Sequence, residues 1–153
     1  MSGKTRTVIC LLRNDLRVHD NEALLWAHRN SDFVVPLYCL DPDHFKGTWN
    51  FNFPRTAPPR AKFLVESVVN LRDNLRKCKS DLVIESARPI QSIKKIVEAC
   101  SELSKPVVKV VYQKEVTFEE LKVEAEIKDF CKTKNIEVID IWGSTLFHKQ
   151  GKA

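Results

Sequence analysis

Acidic side chains and a histidine lie together in one short segment near the N-terminus. Residues 13–21 read RNDLRVHDN, which places His19 close to Asp15 and Asp20. Imidazole and carboxylate groups at this spacing can exchange protons with a substrate or bind a metal ion. The same sequence is also typical of a salt-bridged turn in which Asp20 or Asn21 caps the next helix. Because no nucleophile accompanies His19 at a known spacing, the turn is the favoured interpretation.

Glu115 is the second residue whose position suggests chemistry. It belongs to the segment KEVTFEE at 114–120, in which Thr117 and Glu120 have the spacing of a helix capping box. No such structural reason accounts for Glu115, which precedes a predicted helix at the end of a predicted strand. A carboxylate at that position can accept two hydrogen bonds from a heterocycle. The alternative is a solvent-exposed loop charge, and the spacing alone favours that alternative.

The elements that position these residues follow from an alternation of short apolar segments with longer amphipathic ones. The apolar segments predict strands at residues 7–12, 33–40, 81–84, 107–112 and 137–141. Helices are predicted after the turn at 13–21 and over residues 60–79, 89–100 and 118–134. Since no hairpin signal interrupts this order, the predicted fold class is α/β. It is a Rossmann-like five-stranded parallel sheet with helices on both faces.

Two local features complete the fold prediction. Pro36 lies inside the second apolar segment and removes a backbone donor, so we expect it at a strand start or a bulge. In the last helix, the side chains expected to face the sheet are Leu121, Val123, Ala125, Ile127 and Phe130.

The carboxyl edge of the predicted sheet is where a ligand is expected, near the switch in strand order. Three polar segments belong to that edge: 13–21, 41–59 and 113–120. The second of them contains four prolines and shows no periodicity. The fingerprints GxGxxG and GxxxxGK[ST] are absent, and the chain has only four glycines. A phosphate-binding loop of the usual kind is therefore not expected.

Composition limits the possible functions further. The 153 residues suffice for one domain, and no apolar segment approaches the length of a membrane span. The net charge of +5 comes from basic residues scattered along the chain, which favours solvated helix faces over a nucleic-acid groove. Five cysteines without a CxxC pair exclude the usual zinc spacings and indicate a reducing compartment, cytoplasmic or nuclear.

Three motifs resemble those of the photolyase/cryptochrome family. Segment 13–21 is similar to the family's opening RxDLRxxDN motif. The segment WNFNFPRT at 49–56, followed by residues 60–64, and the segment WGSTLFH at 142–148 are similar to DASH-type cryptochromes. The motifs occur in order on a matching α/β layout. The resemblance covers residues 5–148 and identifies them as a photolyase/cryptochrome-type α/β domain that supports an antenna chromophore.

This resemblance implies cofactors that the residues alone do not suggest. In many DASH-type members the antenna is a folate, methenyltetrahydrofolate, held between this domain and a helical domain. The folate-facing acidic residue of the family matches Glu115, so the resemblance favours a folate contact there. Intact members bind FAD in the helical domain, which repairs pyrimidine dimers, chiefly in single-stranded DNA, or senses blue light.

The end of the sequence departs from the family pattern. Residues 149–153, KQGKA, replace the linker that leads into the helical FAD domain. We therefore expect a truncated form or fragment of a DASH cryptochrome, inactive alone, without catalytic or metal-binding residues. It would meet single-stranded DNA only through the helical domain and would not bind a membrane. The alternative is a protein-interaction module that uses the uncovered interdomain face, with Trp49, Phe51 and Phe53 as contact residues.

Overall fold

A sheet of five strands forms the centre of the protein in a computed structural model, which describes residues 5–48 and 51–143. The strands span Thr7–Leu12 (β1), Phe33–Cys39 (β2), Val83–Glu85 (β3), Val107–Gln113 (β4) and Glu137–Ile141 (β5). They lie in the order β3-β2-β1-β4-β5, and every neighbouring pair is parallel. The predicted Rossmann-like α/β fold is confirmed.

Helices cover both faces of this sheet. They span Glu22–Arg29 (α1), Pro58–Lys77 (α2), Pro89–Glu102 (α3) and Phe118–Thr133 (α4), and a 3-10 turn covers Pro42–Phe45. Side chains of α1 and α2 pack on Val8 and Cys10, whereas those of α3 and α4 pack on Ile9 and Leu11. All of β1 is buried, because successive side chains point to opposite faces and both faces are covered. Within the described ranges, no helix is both long and apolar enough to span a membrane.

Pro36 lies in the middle of β2, so the prediction of a strand start or a bulge is wrong. It is buried and lies opposite Cys10 of β1. The strand on the other side, β3, pairs with β2 only from Leu37 to Cys39. Pro36 therefore lies where β2 has one hydrogen-bonded neighbour instead of two. A residue without an N–H is accommodated at such a position.

The buried side of α4 also differs from the prediction. Its buried residues are Glu124, Ile127 and Cys131, while Leu121 is 43% exposed and Ala125 is exposed. Spacings of three and four residues place the buried set on one side of a helix, and Ala125 faces away from it. Ile127 is buried, and Val123 and Phe130 pack against the same core, so the prediction is right for these three residues. It is wrong for Leu121 and Ala125, and it left out Glu124 because a carboxylate is rarely found on a buried helix face.

Three of the helices are followed by a left-handed residue that is not glycine. Lys79, Ser104 and Asn135, which follow α2, α3 and α4, have φ angles of 61°, 57° and 54°. In each case the next amide bonds back to the last turn, as the Ser80 N–H does to the Leu75 carbonyl at 3.0 Å. This is the Schellman motif, whose left-handed position favours glycine. These residues therefore hold the left-handed conformation at an energetic cost.

Candidate functional site

The two central strands, β1 and β4, part at the carboxyl edge of the sheet. The chain leaves β1 toward α1 on one face and leaves β4 toward α4 on the other. This is the switch in strand order, at which parallel α/β sheets open a crevice for ligands. The residues that follow the two strands define the candidate site: Arg13 and Asn14 after β1, and Lys114 and Glu115 after β4.

Glu115 carries the first backbone amide beyond the sheet at this point. The amide before it, that of Lys114, still donates to the Ile141 carbonyl of β5 at 2.8 Å. The N–H of Glu115 donates instead to Glu124 Oε1 of α4, at 2.9 Å. Only 7% of Glu115 is exposed. The alternative interpretation, a solvent-exposed loop charge, is therefore wrong.

Arg13 and Glu124 form a buried ion pair next to this amide. Arg13 Nη1 donates to Glu124 Oε1 at 2.9 Å, and the two side chains are 12% and 3% exposed. The same oxygen thus receives a guanidinium N–H from the end of β1 and a backbone N–H from the end of β4. A buried carboxylate is unfavourable unless such donors replace its lost hydration. The pair ties the two strand ends together where they part.

The side-chain amide of Asn14 joins two carboxylates. Its Nδ2 donates to Glu115 Oε1 at 2.8 Å and to Glu120 Oε1 at 3.0 Å. The second oxygen of Glu120 accepts from the Thr117 hydroxyl at 2.7 Å, so Thr117 and Glu120 pair. The predicted capping box is incomplete, because the Thr117 side chain accepts no backbone N–H of α4. Among the described residues, none donates a hydrogen bond to Oε2 of Glu115. That oxygen can accept a hydrogen bond from a ligand.

The two carboxylates that share Asn14 have pKa values shifted in opposite directions. Burial raises the pKa of Glu115, an effect that Asn14 partly offsets; the charges of Glu120 and Glu124 raise it further, and Arg13 lowers it. Burial alone would also raise the pKa of Glu120, but hydrogen bonds to its two oxygens outweigh this and its pKa is lowered. Ionisable groups pushed apart in this way are typical of functional sites. As the pH falls, Glu115 takes up a proton before Glu120.

Arginines from three loops hold α4 at this edge. Besides Arg13, Arg55 from the segment after β2 pairs with Glu119 at 2.6 Å. Arg88, next to the start of α3, pairs with Glu126 at 3.1 Å. These two pairs are partly exposed and contribute little to stability, whereas the pair of Arg13 is buried. Of these three ion pairs, that of Arg13 therefore contributes most to the position of α4 and of the loop before it.

The histidine-containing segment forms the turn that the sequence favours. Asp15 accepts from Arg17 at 2.8 and 3.1 Å, and His19 is exposed. Asn21, and not Asp20, caps α1 by accepting a backbone N–H at 2.9 Å. In residues 5–48 and 51–143, no group of three His, Cys, Asp or Glu side chains could hold a metal ion. The acid/base or metal alternative for this segment gains no support.

Aromatic side chains are exposed at the same edge of the protein. Phe51 and Phe53 are 74% and 63% exposed, and their ring centroids lie 5.8 Å apart. Phe118, at the start of α4, is 83% exposed. Trp49 lies outside the described residues, as does most of the motif at 142–148. Clustered exposed aromatic groups are typical of contact surfaces.

Known proteins are similar in sequence to this chain over almost its whole length. A model of the DNA photolyase family matches residues 8–151. The chain belongs to the DNA photolyase family. It is 48% identical to Cryptochrome DASH of Xenopus laevis over 150 residues, which are 98% of this chain and 28% of that protein. Cryptochrome DASH of Gloeobacter violaceus is 44% identical over 144 residues, 94% of this chain and 28% of that protein.

Solved structures of the photolyase family share the fold. The cryptochrome of Synechocystis sp. PCC6803 has a TM-score of 0.85 at 36% identity, covering 97% of this chain and 29% of that chain. A class III photolyase of Agrobacterium tumefaciens has a TM-score of 0.76 at 22% identity, covering 97% and 28%. The resemblance to DASH-type cryptochromes is confirmed. The chain spans little more than a quarter of the length of these DASH relatives.

The residues that hold Glu115 in place are the ones that the sequence interpretation missed. Arg13 and Asn14 lie in segment 13–21, but nothing in that segment marks them above its other polar residues. A signal for Glu124 was present: it lies three residues before Ile127 and therefore on the same side of α4.

Proposed function

We propose that this chain is the antenna-type α/β domain of a DASH cryptochrome, and that Glu115 binds a folate antenna such as methenyltetrahydrofolate through its heterocycle. One observation carries the proposal. Glu115 is a buried carboxylate at the switch in strand order, and its Oε2 receives no hydrogen bond from the described residues. A site that fixes one carboxylate oxygen and leaves the other free to accept suits a ligand that donates a hydrogen bond.

The residues of the site fit the heterocycle of a folate. Asn14 holds Oε1 of Glu115, which leaves the other oxygen to accept a ligand N–H. The bound folate would supply light absorption, and the chain would supply a fixed acceptor that orients it. Binding requires the ionised form of Glu115. Because burial raises the pKa of Glu115, affinity is expected to fall as the pH drops through a value above that of an ordinary glutamate.

The activity of the relatives belongs to more of the protein than this chain spans. We assign flavin chemistry, and with it photolyase or photoreceptor activity, to a second domain that docks on the exposed Phe51, Phe53 and Phe118. A photolyase of Sulfolobus tokodaii that shares the fold is described as holding two FAD molecules. Single-stranded DNA would meet the protein through that second domain. An antenna between two domains has only half of its site here, so the chain alone should bind folate weakly.

The compartment proposed for the protein is the cytoplasm or the nucleus. All five cysteines are free thiols, and three of them are buried. Free thiols are typical of reducing compartments.

Titration of methenyltetrahydrofolate into the 153-residue chain, followed by absorbance and fluorescence, tests the antenna site. Removal of a charged hydrogen-bond acceptor in Glu115→Ala should weaken binding by about 10- to 150-fold. Glu98→Ala, an exposed change on α3, serves as the matched control and should bind as the wild type does. Equal affinities for wild type and Glu115→Ala would remove Glu115 from the site. Stoichiometric FAD in the purified chain would contradict the assignment of flavin binding to another domain.

A further inference from the structure

The negative charge of Glu124 is not needed for the hydrogen bond that this side chain accepts from the backbone of Glu115. Its Oε1 accepts the backbone N–H of Glu115 and an N–H of Arg13, both at 2.9 Å. A glutamine would accept the same backbone N–H through its amide oxygen without placing a charge in the interior. The side chain is only 3% exposed, so it reaches no ligand directly. The charge of Glu124 must therefore act on its neighbours.

The neighbour that matters is Glu115. We propose that Glu124 is a positioning residue for Glu115, and that its buried ion pair with Arg13 fixes both the backbone of Glu115 and the charge around its carboxylate. This inference rests on the proposed role of Glu115 in antenna binding. The backbone part follows from the sheet, since the amide of Glu115 is the first one past β4 and Glu124 is its acceptor.

The charge part follows from the groups around Glu115. Arg13, from the end of β1, favours its ionised form, whereas Glu120 and Glu124, from α4, oppose it. On the side of β5, Asp140 is paired with Lys128 at 2.9 Å. Arg13 and Glu124 therefore act on Glu115 with opposite sign, so each charge offsets part of the effect of the other. Loss of Glu124 alone would leave the cation of Arg13 unbalanced.

Two substitutions separate these roles. Glu124→Gln keeps an oxygen that can accept the Glu115 N–H but removes the charge. Glu124→Ala removes both. Glu126→Gln is the matched control, because Glu126 also lies on α4 and pairs with an arginine, Arg88, but does not contact Glu115. The measurements, on the ligand-free chain, are the amide exchange rate and the carboxyl titration of Glu115 by NMR, followed by folate affinity as a function of pH.

The expected results differ between the variants. Glu124→Ala should speed amide exchange at Glu115 and weaken folate binding, each by about 10-fold or more. Glu124→Gln should keep an amide exchange rate close to wild type. It should lower the pH at which Glu115 titrates, and the midpoint pH of folate binding with it, because a negative charge that raises the pKa of Glu115 is removed. Glu126→Gln should change neither property. A purely structural role for Glu124 would not move the titration of Glu115.

A neutral pair keeps the test decisive if the single variants fail to fold around an unpaired Arg13. Arg13→Gln combined with Glu124→Gln removes both charges and should move the titration of Glu115 back up from its position in Glu124→Gln, toward that of the wild type. Arg13→Gln combined with Glu124→Ala should lose the amide protection. Unchanged exchange and titration of Glu115 in every Glu124 variant would overturn the proposal.

Failure of this inference is distinguishable from failure of the antenna proposal. If the wild-type chain binds no folate, the antenna proposal fails, while the ligand-free NMR data still decide whether Glu124 positions Glu115. If the wild type and Glu124→Ala bind folate equally with the same pH profile, the positioning role fails and the antenna proposal stands.

Discussion

Tyr112 provides a test of the core beside the site. It lies in β4, is fully buried, and its hydroxyl makes no hydrogen bond within the described residues. Burial raises the pKa of the hydroxyl, and Glu124 and Asp140 raise it further, so the group stays protonated at neutral pH. A buried hydroxyl without an acceptor has lost its hydration without compensation. We therefore expect Tyr112→Phe to stabilise the protein.

The size of this gain depends on the hydroxyl of Tyr112 alone, since the ring remains. A buried polar group without a partner costs about 1–3 kcal/mol. Phenylalanine leaves a space of one oxygen atom, which opposes part of the gain. The net increase in the free energy of unfolding should be about 1 kcal/mol. For a chain of 153 residues this raises the Tm by about 2–4 °C.

Urea unfolding followed by circular dichroism measures the effect of Tyr112→Phe, with equal m-values showing that the same transition is compared. Tyr38→Phe is the matched control. Tyr38 is 4% exposed, packs on the opposite face of the sheet, and is not among the residues with a buried, unpartnered hydroxyl. Tyr38→Phe should change the free energy of unfolding of the protein by less than about 0.5 kcal/mol. A clear loss of stability in Tyr112→Phe alone would refute the reasoning, because the hydroxyl would then have a partner such as a buried water.

Helix ends and thiols give two further predictions. Ser104 has a φ of 57°, so Ser104→Gly should stabilise the protein by up to about 1 kcal/mol in the same urea assay. Ser80→Gly, at a position without a positive φ, should destabilise it, and the opposite order would contradict the left-handed cap. Cys78 is exposed and should react first with a thiol reagent at pH 8, followed by Cys100. Burial raises the pKa of the Cys10 thiol to about 12 and the pKa values of Cys39 and Cys131 to about 11. These three thiols should react only in denaturant. Equal rates for all five in the native protein would show that the core is not packed as described.

The strands were predictable because both faces of the sheet are covered. The continuous apolar segment at 7–12 predicted β1 at its observed bounds, and the segment EVIDI at 137–141 predicted β5 at its bounds. Helix ends were less predictable, since the usual glycine signal is missing. The left-handed positions are held instead by Lys79, Ser104 and Asn135. Local sequence therefore determined the order of the elements more closely than their limits.

The site was less predictable, because its contacts join distant parts of the chain. Asn14 and Glu115 are 101 residues apart, and neither shows from its own neighbours that the two will meet. Spacing alone favoured a surface charge at Glu115, and the family resemblance corrected this. Glu124 was missed for a physical reason as well: a carboxylate counts against burial until its donors are known, and those donors come from β1 and from the loop after β4.

The buried polar residues show where the protein departs from ordinary packing. In the part of the chain that the structure describes, six of them are buried: Thr7, Asn21, Asp41, Ser92, Glu115 and Glu124. Thr7 donates to a backbone carbonyl at 3.0 Å, and Asn21 and Asp41 each cap a helical turn by accepting a backbone N–H at 2.9 Å. Glu115 and Glu124 do not cap a helix. Both are carboxylates, and both lie next to the point where β1 and β4 part. Uncharged side chains would have closed this crevice at a lower electrostatic cost. Sequences tend to break packing rules at functional sites, so the position of these two carboxylates favours a ligand over a purely structural role.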